Sequence, residues 1–251
     1  EVRPDVIVNL AYLTGAALDA DMDRATRVNL NGHVHLLDAA VASGVRRYVY
    51  SSSIAAYGPS QSLYGERAIE EGDSCPLERH TITYGAMKAF NDFVAAQYRA
   101  RGAVETCGVR FSVVFGPGRL HGYTAWTSRM LVGPARGETI RVPLAAEQPL
   151  SLVSAEDASR LLALAVRCGS TLPPVLNSGG YRHTAREIAG EVGRIEPKAR
   201  FTFDGNPARF PFVDHVSGAL ADRTLGFRLQ PLALALRAEM ERAATAPEPS
   251  S

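Results

Sequence analysis

Two rhythms of apolar and polar residues run along this chain. Short apolar runs stand at Val6-Ile7-Val8 and Tyr48-Val49-Tyr50. The second is β-branched and aromatic, as buried strands are. Helical periodicity predicts two long helices, over Arg24–Ser43 and Tyr84–Arg101, and Met130–Gly137 reads as the end of a shorter one. Ala155–Cys168 is amphipathic, with Leu161, Leu162, Leu164 and Ala165 on its apolar side. Val175–Gly180 predicts a strand ending in a glycine turn. Thr184, with Glu187 three positions on, predicts a capping box and a helix to about Ile195. A last helix is expected from about Pro231 to Ala243, followed by a polar, frayed tail from Ala244 to Ser251. The order strand, helix, strand, helix, strand is that of a parallel sheet with helices on both faces. No internal repeat is visible.

Composition narrows the class. Hydrophobic residues make up 46% and charged residues 21% of the 251, as in an ordinary globular chain. A net charge of +1 argues against a nucleic-acid partner, and Arg46 and Arg47 read as a solvated strand entry. No apolar run approaches the roughly 20 residues of a membrane span. Cys75, Cys107 and Cys168 fit neither a disulfide framework nor a zinc site and suggest a reducing cytoplasm. His33, His35, His80, His183 and His215 show no metal-ligand spacing and read as surface or helix residues; no metal is expected.

The candidate chemistry begins at Thr-Tyr-Gly-Ala-Met-Lys-Ala-Phe, where Tyr84 and Lys88 share one helix face at i, i+4. Lys88 and Lys198 are the only lysines in an arginine-rich chain, so position 88 calls for a compact ammonium. An ammonium beside a phenol favours the phenolate. Lowering a tyrosine pKa from about 10 by about 3 units needs roughly 4 kcal/mol. A cation about 4 Å away supplies that at an effective dielectric of about 20. The bland alternative is a surface pair. Ser51, Ser52 and Ser53 end the Tyr48–Tyr50 strand, and ligands of open α/β sheets bind beyond the carboxyl ends of strands. They could equally form a serine-rich turn capping the next segment.

A strand ending in Ser-Ser-Ser-x-x-x-Tyr-Gly, followed by Tyr-x-x-x-Lys opening a helix, resembles the extended short-chain dehydrogenase/reductase family of NAD-dependent epimerases, dehydratases and reductases. Pro4–Ala11 resembles the family's fourth strand, and Val28–Ala40 its fourth helix. Gly108–Gly118 resembles its sixth strand and the turn after it. The resemblance covers about Pro4 to Phe227. It implies an α/β, Rossmann-like doubly wound parallel sheet lacking its first strands, with a small C-terminal α/β substrate-binding part. Residues 1–118 would form the second half of the NAD(P)-binding domain, with 150–180 adding a helix and strand. Residues 119–149 and 181–245 would bind substrate, and 246–251 would be tail.

The roles follow by matched position. Tyr84 is the implied acid/base. Lys88 would lower the Tyr84 pKa and hold the nicotinamide ribose, and Ser53 would hydrogen-bond the reacting oxygen. Leu10, Ala11, Asn29, Ser51, Ser52, Ser112 and Val113 would join Tyr84 and Lys88 around the cofactor, NAD or NADP. For Asn29 the alternative is a helix-interior residue bonding backbone; for Leu10 and Ala11 it is plain core. Ile54, Arg119, His121, Tyr123 and Trp126 are substrate candidates, Arg119 and His121 suiting a carboxylate. A solvated loop with one buried tryptophan is the alternative for the last four.

Three departures from the family pattern shape the expectation. The glycine-rich turn is absent, and Val6-Ile7-Val8 would form a bare edge, so the chain reads as a fragment that alone holds dinucleotide poorly and does not turn over. Ile54 and Ala55 replace the acidic pair of the dehydratases. Val113 replaces a phosphate-gripping asparagine, and Pro149-Leu150-Ser151-Leu152 replaces an Arg-Asp-Phe/Tyr run. A smaller alcohol, sugar or sugar acid is therefore favoured over a diphosphate-linked substrate. The first function expected is an NAD(P)-dependent oxidoreductase acting on a secondary alcohol. A sugar or nucleotide-sugar epimerase and a non-catalytic binding protein remain alternatives. The two long helices suggest a homodimer.

Overall fold

The computed structural model describes residues 3–119, 124–204 and 211–245. The first strand, β1 (Val6–Asn9), leads through short helices α1 (Ala16–Asp19) and α2 (Met22–Thr26) into a π-turn, Arg27–Asn31, and then α3 (Gly32–Ala42). Strand β2 (Arg47–Ser53) runs into a 3-10 turn, Ile54–Tyr57, and a long loop to α4 (Thr83–Ala100). Then come β3 (Glu105–Phe111), β4 (Val113–Phe115), α5 (Trp126–Val132), β5 (Thr139–Val142), β6 (Pro149–Ser154) and α6 (Ala155–Arg167). Strand β7 (Val175–Asn177), β8 (Tyr181–Thr184), α7 (Ala185–Ile195), β9 (Arg200–Phe203), α8 (Ala219–Leu225) and α9 (Leu232–Thr245) complete the described chain.

The main sheet is parallel, in the order β1-β2-β3-β7. Helices cover both faces because β2 alternates with period two. Tyr48 and Tyr50 join Leu37, Ala40 and Ala95 of α3 and α4 in one core cluster. Val49 joins Leu161 and Ala165 of α6 in another, on the opposite face. Strand β1 is an edge of this sheet, and Val8 is 41% exposed there.

The chain leaves the main sheet at Ser112. Strand β4 pairs with β6 in a second sheet that β8 completes, while β5 and β9 form a third. The predicted strands of the main sheet and the long helices are present to within a few residues. Strands β5, β6, β8 and β9 had no counterpart in the sequence reading. The Thr184 and Glu187 capping box is formed, with both reciprocal hydrogen bonds in place. The tail from 246 onward lies outside the described residues.

Arg47 corrects the expectation of a solvated strand entry. It is 1% exposed and points to the α6 side of the sheet. Its guanidinium donates to the carbonyls of Ala165 (2.9 Å), Cys168 (2.7 Å) and Ser170 (2.7 Å) and pairs with Glu105 at 3.0 Å. The Ala165 and Cys168 carbonyls end α6, where the helix lacks partners and carries its negative pole, and that of Ser170 lies just beyond it. Arg46, its neighbour, is the surface residue and pairs with Asp5. His33 is a helix residue as expected, but a buried one. Its imidazole contacts the Tyr48 hydroxyl at 3.2 Å, and burial lowers its pKa to about 4.

Candidate active site

Beyond the carboxyl ends of β1, β2 and β3 lies a cavity of about 450 Å³. Strand β2 brings Ser51, Ser52 and Ser53 to its floor, and the 3-10 turn adds Ile54. The first turn of α4 brings Tyr84, and the next brings Lys88. The start of α4 packs directly on the 3-10 turn. A side chain at Gly85 would meet the Ala55 carbonyl at 2.6 Å, so the residue after Tyr84 must be glycine for the phenol to reach Ser53.

The three residues at the centre take distinct environments. Ser53 is buried, and its hydroxyl accepts from the Ala55 backbone N–H at 3.1 Å, so it also caps the 3-10 turn. Ser53 therefore lines the cavity and caps the turn at once. Burial raises the Tyr84 pKa, while hydrogen bonding from Ser53 and the charge of Arg119 pull it down. Lys88 is 2% exposed and donates to the Ser51 carbonyl at 2.6 Å. Burial lowers its pKa to about 7, against the opposing pull of Asp92.

This electrostatic picture differs from the expected one. The Lys88 nitrogen lies 5.7 Å from the centre of the Tyr84 ring but only 3.4 Å over the ring of Tyr12. Its charge is spent on the Ser51 carbonyl and the Tyr12 face. Desolvation of Tyr84 prevails, and Ser53 and Arg119 oppose it.

Of the cofactor candidates, Leu10, Ser51, Ser52, Ser112 and Val113 line the cavity. The side chain of Ser52 is held by Asp92 at 3.0 Å. That of Ser112 is held by the Gly179 carbonyl at 2.7 Å and by Ser151 at 2.8 Å. Ala11 is exposed and does not line the cavity. Neither does Asn29, which sits buried in the π-turn. Its side chain accepts from the Leu13 N–H (2.8 Å) and donates to the Leu13 carbonyl (3.0 Å). Asn29 thus bonds backbone and clamps the loop that carries Leu10, Tyr12 and Thr14.

Of the substrate candidates, Ile54 and Arg119 line the cavity. Trp126 does not: it is buried in the core cluster around the second sheet. His121 and Tyr123 lie outside the described residues. Two residues the sequence reading passed over matter here. Tyr12 is a cavity wall, meeting Tyr84 edge-to-face at 5.6 Å. Asp92 binds Tyr50, Ser52 and Arg110. Its spacing of four from Lys88 was the available signal; for Tyr12 it was position just past the end of β1.

Comparison with known proteins bears on the fold and the family. D-erythronate dehydrogenase of Cupriavidus necator is 27% identical over 199 residues, which are 77% of this chain and 59% of that protein. An Arabidopsis thaliana 3beta-hydroxysteroid-dehydrogenase/decarboxylase, isoform 1, is 33% identical over 93 residues, 36% of this chain and 20% of that protein. The chain thus spans less than two thirds of these curated relatives. Among solved structures, the GalE-like L-threonine dehydrogenase of Cupriavidus necator in its holo form superposes with a TM-score of 0.81 at 19% identity, over 94% of this chain and 78% of that one. MoeE5 in complex with UDP-glucuronic acid and NAD gives 0.79 at 24% identity, over 96% and 79%. These structural likenesses establish a Rossmann-type α/β fold. The sequence model of the NAD dependent epimerase/dehydratase family matches residues 1–177. The chain belongs to the NAD dependent epimerase/dehydratase family.

Proposed function

We propose that the natural full-length polypeptide is an NAD(P)-dependent oxidoreductase acting at a secondary alcohol of a small hydroxy acid, sugar acid or polyol. One observation carries this reading: Tyr84 and Ser53 face each other in the cavity, with Lys88 buried beside them. Ser53 orients the reacting hydroxyl, and Tyr84 takes its proton as the carbon gives up hydride. Bound nicotinamide supplies the hydride acceptor.

The residues present suit the nicotinamide half of that cofactor. Leu10 and Val113 offer apolar wall. An ammonium has three N–H groups, and Lys88 gives one to the Ser51 carbonyl and turns toward the Tyr12 ring, leaving capacity for a ligand hydroxyl.

The substrate class follows from the lining. Among the described lining residues the cations are Lys88 and Arg119, and Ile54, Phe111, Val113 and Val114 are apolar. Arg119 already donates to the Thr124 hydroxyl at 3.1 Å, which fixes its guanidinium while leaving other N–H groups for a carboxylate. Ile54 cannot ionise, which disfavours dehydration. The likeness to D-erythronate dehydrogenase points the same way.

The test is net reduction of added NAD or NADP during turnover of a panel of small hydroxy acids and polyols. Accumulation of the reduced cofactor supports the reading; interconversion of epimers without accumulation identifies an epimerase instead. In the acid-oxidising case Arg119→Met should raise KM by about tenfold to a hundredfold, the worth of a charged hydrogen bond, and leave kcat closer to its original value.

The polypeptide is also proposed to act as a homodimer. Phe90 (48% exposed) and Phe93 (61%) stand on the outer face of α4, and Leu36 and Val41 of α3 are exposed as well. Large apolar side chains on packed neighbouring helices suit burial against a second copy.

A further inference from the structure

Asp92 lies on α4, one turn beyond Lys88, and is buried. Three donors converge on its carboxylate. The Tyr50 hydroxyl reaches Oδ1 at 3.0 Å, and the Ser52 hydroxyl reaches Oδ2 at 3.0 Å. Arg110 Nε reaches Oδ2 at 2.8 Å. Tyr50 and Ser52 belong to β2, the strand that ends at Ser53 and whose Ser51 carbonyl receives Lys88. Arg110 belongs to β3, directly opposite Ser52 in the ladder. One carboxylate therefore joins two strands to the helix that carries Tyr84 and Lys88.

The groups facing Lys88 can be named element by element. The loop after β1 contributes the Tyr12 ring, and β2 the Ser51 carbonyl. Its own helix contributes the Tyr84 ring and Asp92. From α3 comes His33, whose proton affinity Lys88 depresses. Asp92 is the anion acting on Lys88 in this set.

We propose that Asp92 is the positioning residue of this site, fixing Ser51–Ser53 against α4 and setting a negative charge one turn beneath Lys88. It acts through Ser52 and Lys88 rather than on substrate, and its bearing on turnover rests on the function proposed above. The competing reading is a plain counter-ion for Arg110, a buried pair that merely neutralises itself. The geometry favours positioning, because two of the three donors are hydroxyls and both sit on the strand that delivers Ser53.

In this 251-residue chain lysine labelled at Cε gives two NMR signals, from Lys88 and the exposed Lys198, so Lys88 can be titrated directly, while turnover is read in the natural full-length polypeptide carrying the same substitutions. The comparison is between the wild type, Asp92→Asn and the double variant Asp92→Asn/Arg110→Gln. Positioning predicts that the Lys88 midpoint, about 7 in the wild type, falls by about 1 unit or more in both variants as the ammonium loses its anion. Turnover falls about tenfold to a hundredfold in both, the usual effect of a misplaced reacting group. A double variant with the wild-type midpoint and turnover would overturn the proposal, since the counter-ion reading predicts that outcome. Asp92→Asn alone leaves a buried guanidinium unpaired and can fail to fold; the double variant does not carry that defect. Ser52→Ala, which keeps both charges, should also lose turnover, and full turnover there would count against the proposal equally. Absence of turnover by the natural full-length polypeptide on every substrate would instead sink the proposed function, leaving the lysine titration to decide the role of Asp92.

Discussion

Lys88 titrates near 7 because its ammonium has left water, and that has a thermodynamic consequence. Its folded pKa lies below its unfolded value of about 10.4. Between those two values the unfolded chain binds more protons, so this group makes the unfolding free energy rise with pH from about 7 to about 10.4. Urea unfolding across that window should show the slope, and Lys88→Met should remove most of it. The Tyr12 hydroxyl is buried with no hydrogen-bond partner among the described residues, while its ring covers Lys88. Tyr12→Phe keeps the ring and removes an unsatisfied donor, so it should be neutral or stabilise by up to about 1 kcal/mol; thermal unfolding checks this. At this scale the sequence shows Tyr84, Lys88 and Ser53, because their spacing within one strand and one helix is local. Tyr12 and Asp92 are less legible. Tyr12 becomes a site residue only when the loop after β1 folds over α4. Asp92 reads as an ordinary surface carboxylate until Tyr50, Ser52 and Arg110 converge on it from two strands.

Docking of α4 onto β2 is the element-scale event that builds the site. Helix periodicity and the Thr184 cap are written in consecutive residues, so the longer helices were readable to within a few positions, while the short α1 and α8 were not. Strands β5 and β9 were not, since each is four residues long and gains its identity only from the other. Pro149–Ser154 likewise declares itself only once β4 and β8 flank it. Arg47 shows the same limit in one residue. Two adjacent arginines look alike in sequence, yet pleating sends one to solvent and the other under α6. Arg47→Met should therefore cost about 3–5 kcal/mol, as expected of breaking a buried pair, whereas Arg46→Met should fall within about 0.5 kcal/mol of the wild type. Chemical denaturation of the two variants separates them.

At the scale of the whole molecule, the exposed face of α4 is the clearest unfinished surface. Light scattering at micromolar concentration should give a dimer, and Phe93→Glu should shift it toward monomer. A wild-type monomer would reject the dimer. The family was legible because its ordered motifs extend over most of the chain and do not depend on contacts. The substrate was not, because the cavity wall is assembled from the loop after β1, α1, β2, α4, β3, β4 and the segment at Pro211 and Phe212, far apart in sequence. The central claim concerns one proton and one hydride leaving the same carbinol. Its most direct measurement is the steady-state rate of nicotinamide reduction by the natural full-length polypeptide against its Tyr84→Phe variant, on the best hydroxy-acid substrate found. Loss of the phenolic proton carrier should lower kcat about a hundredfold to ten-thousandfold, with KM little changed. Undiminished kcat in the variant would contradict the account.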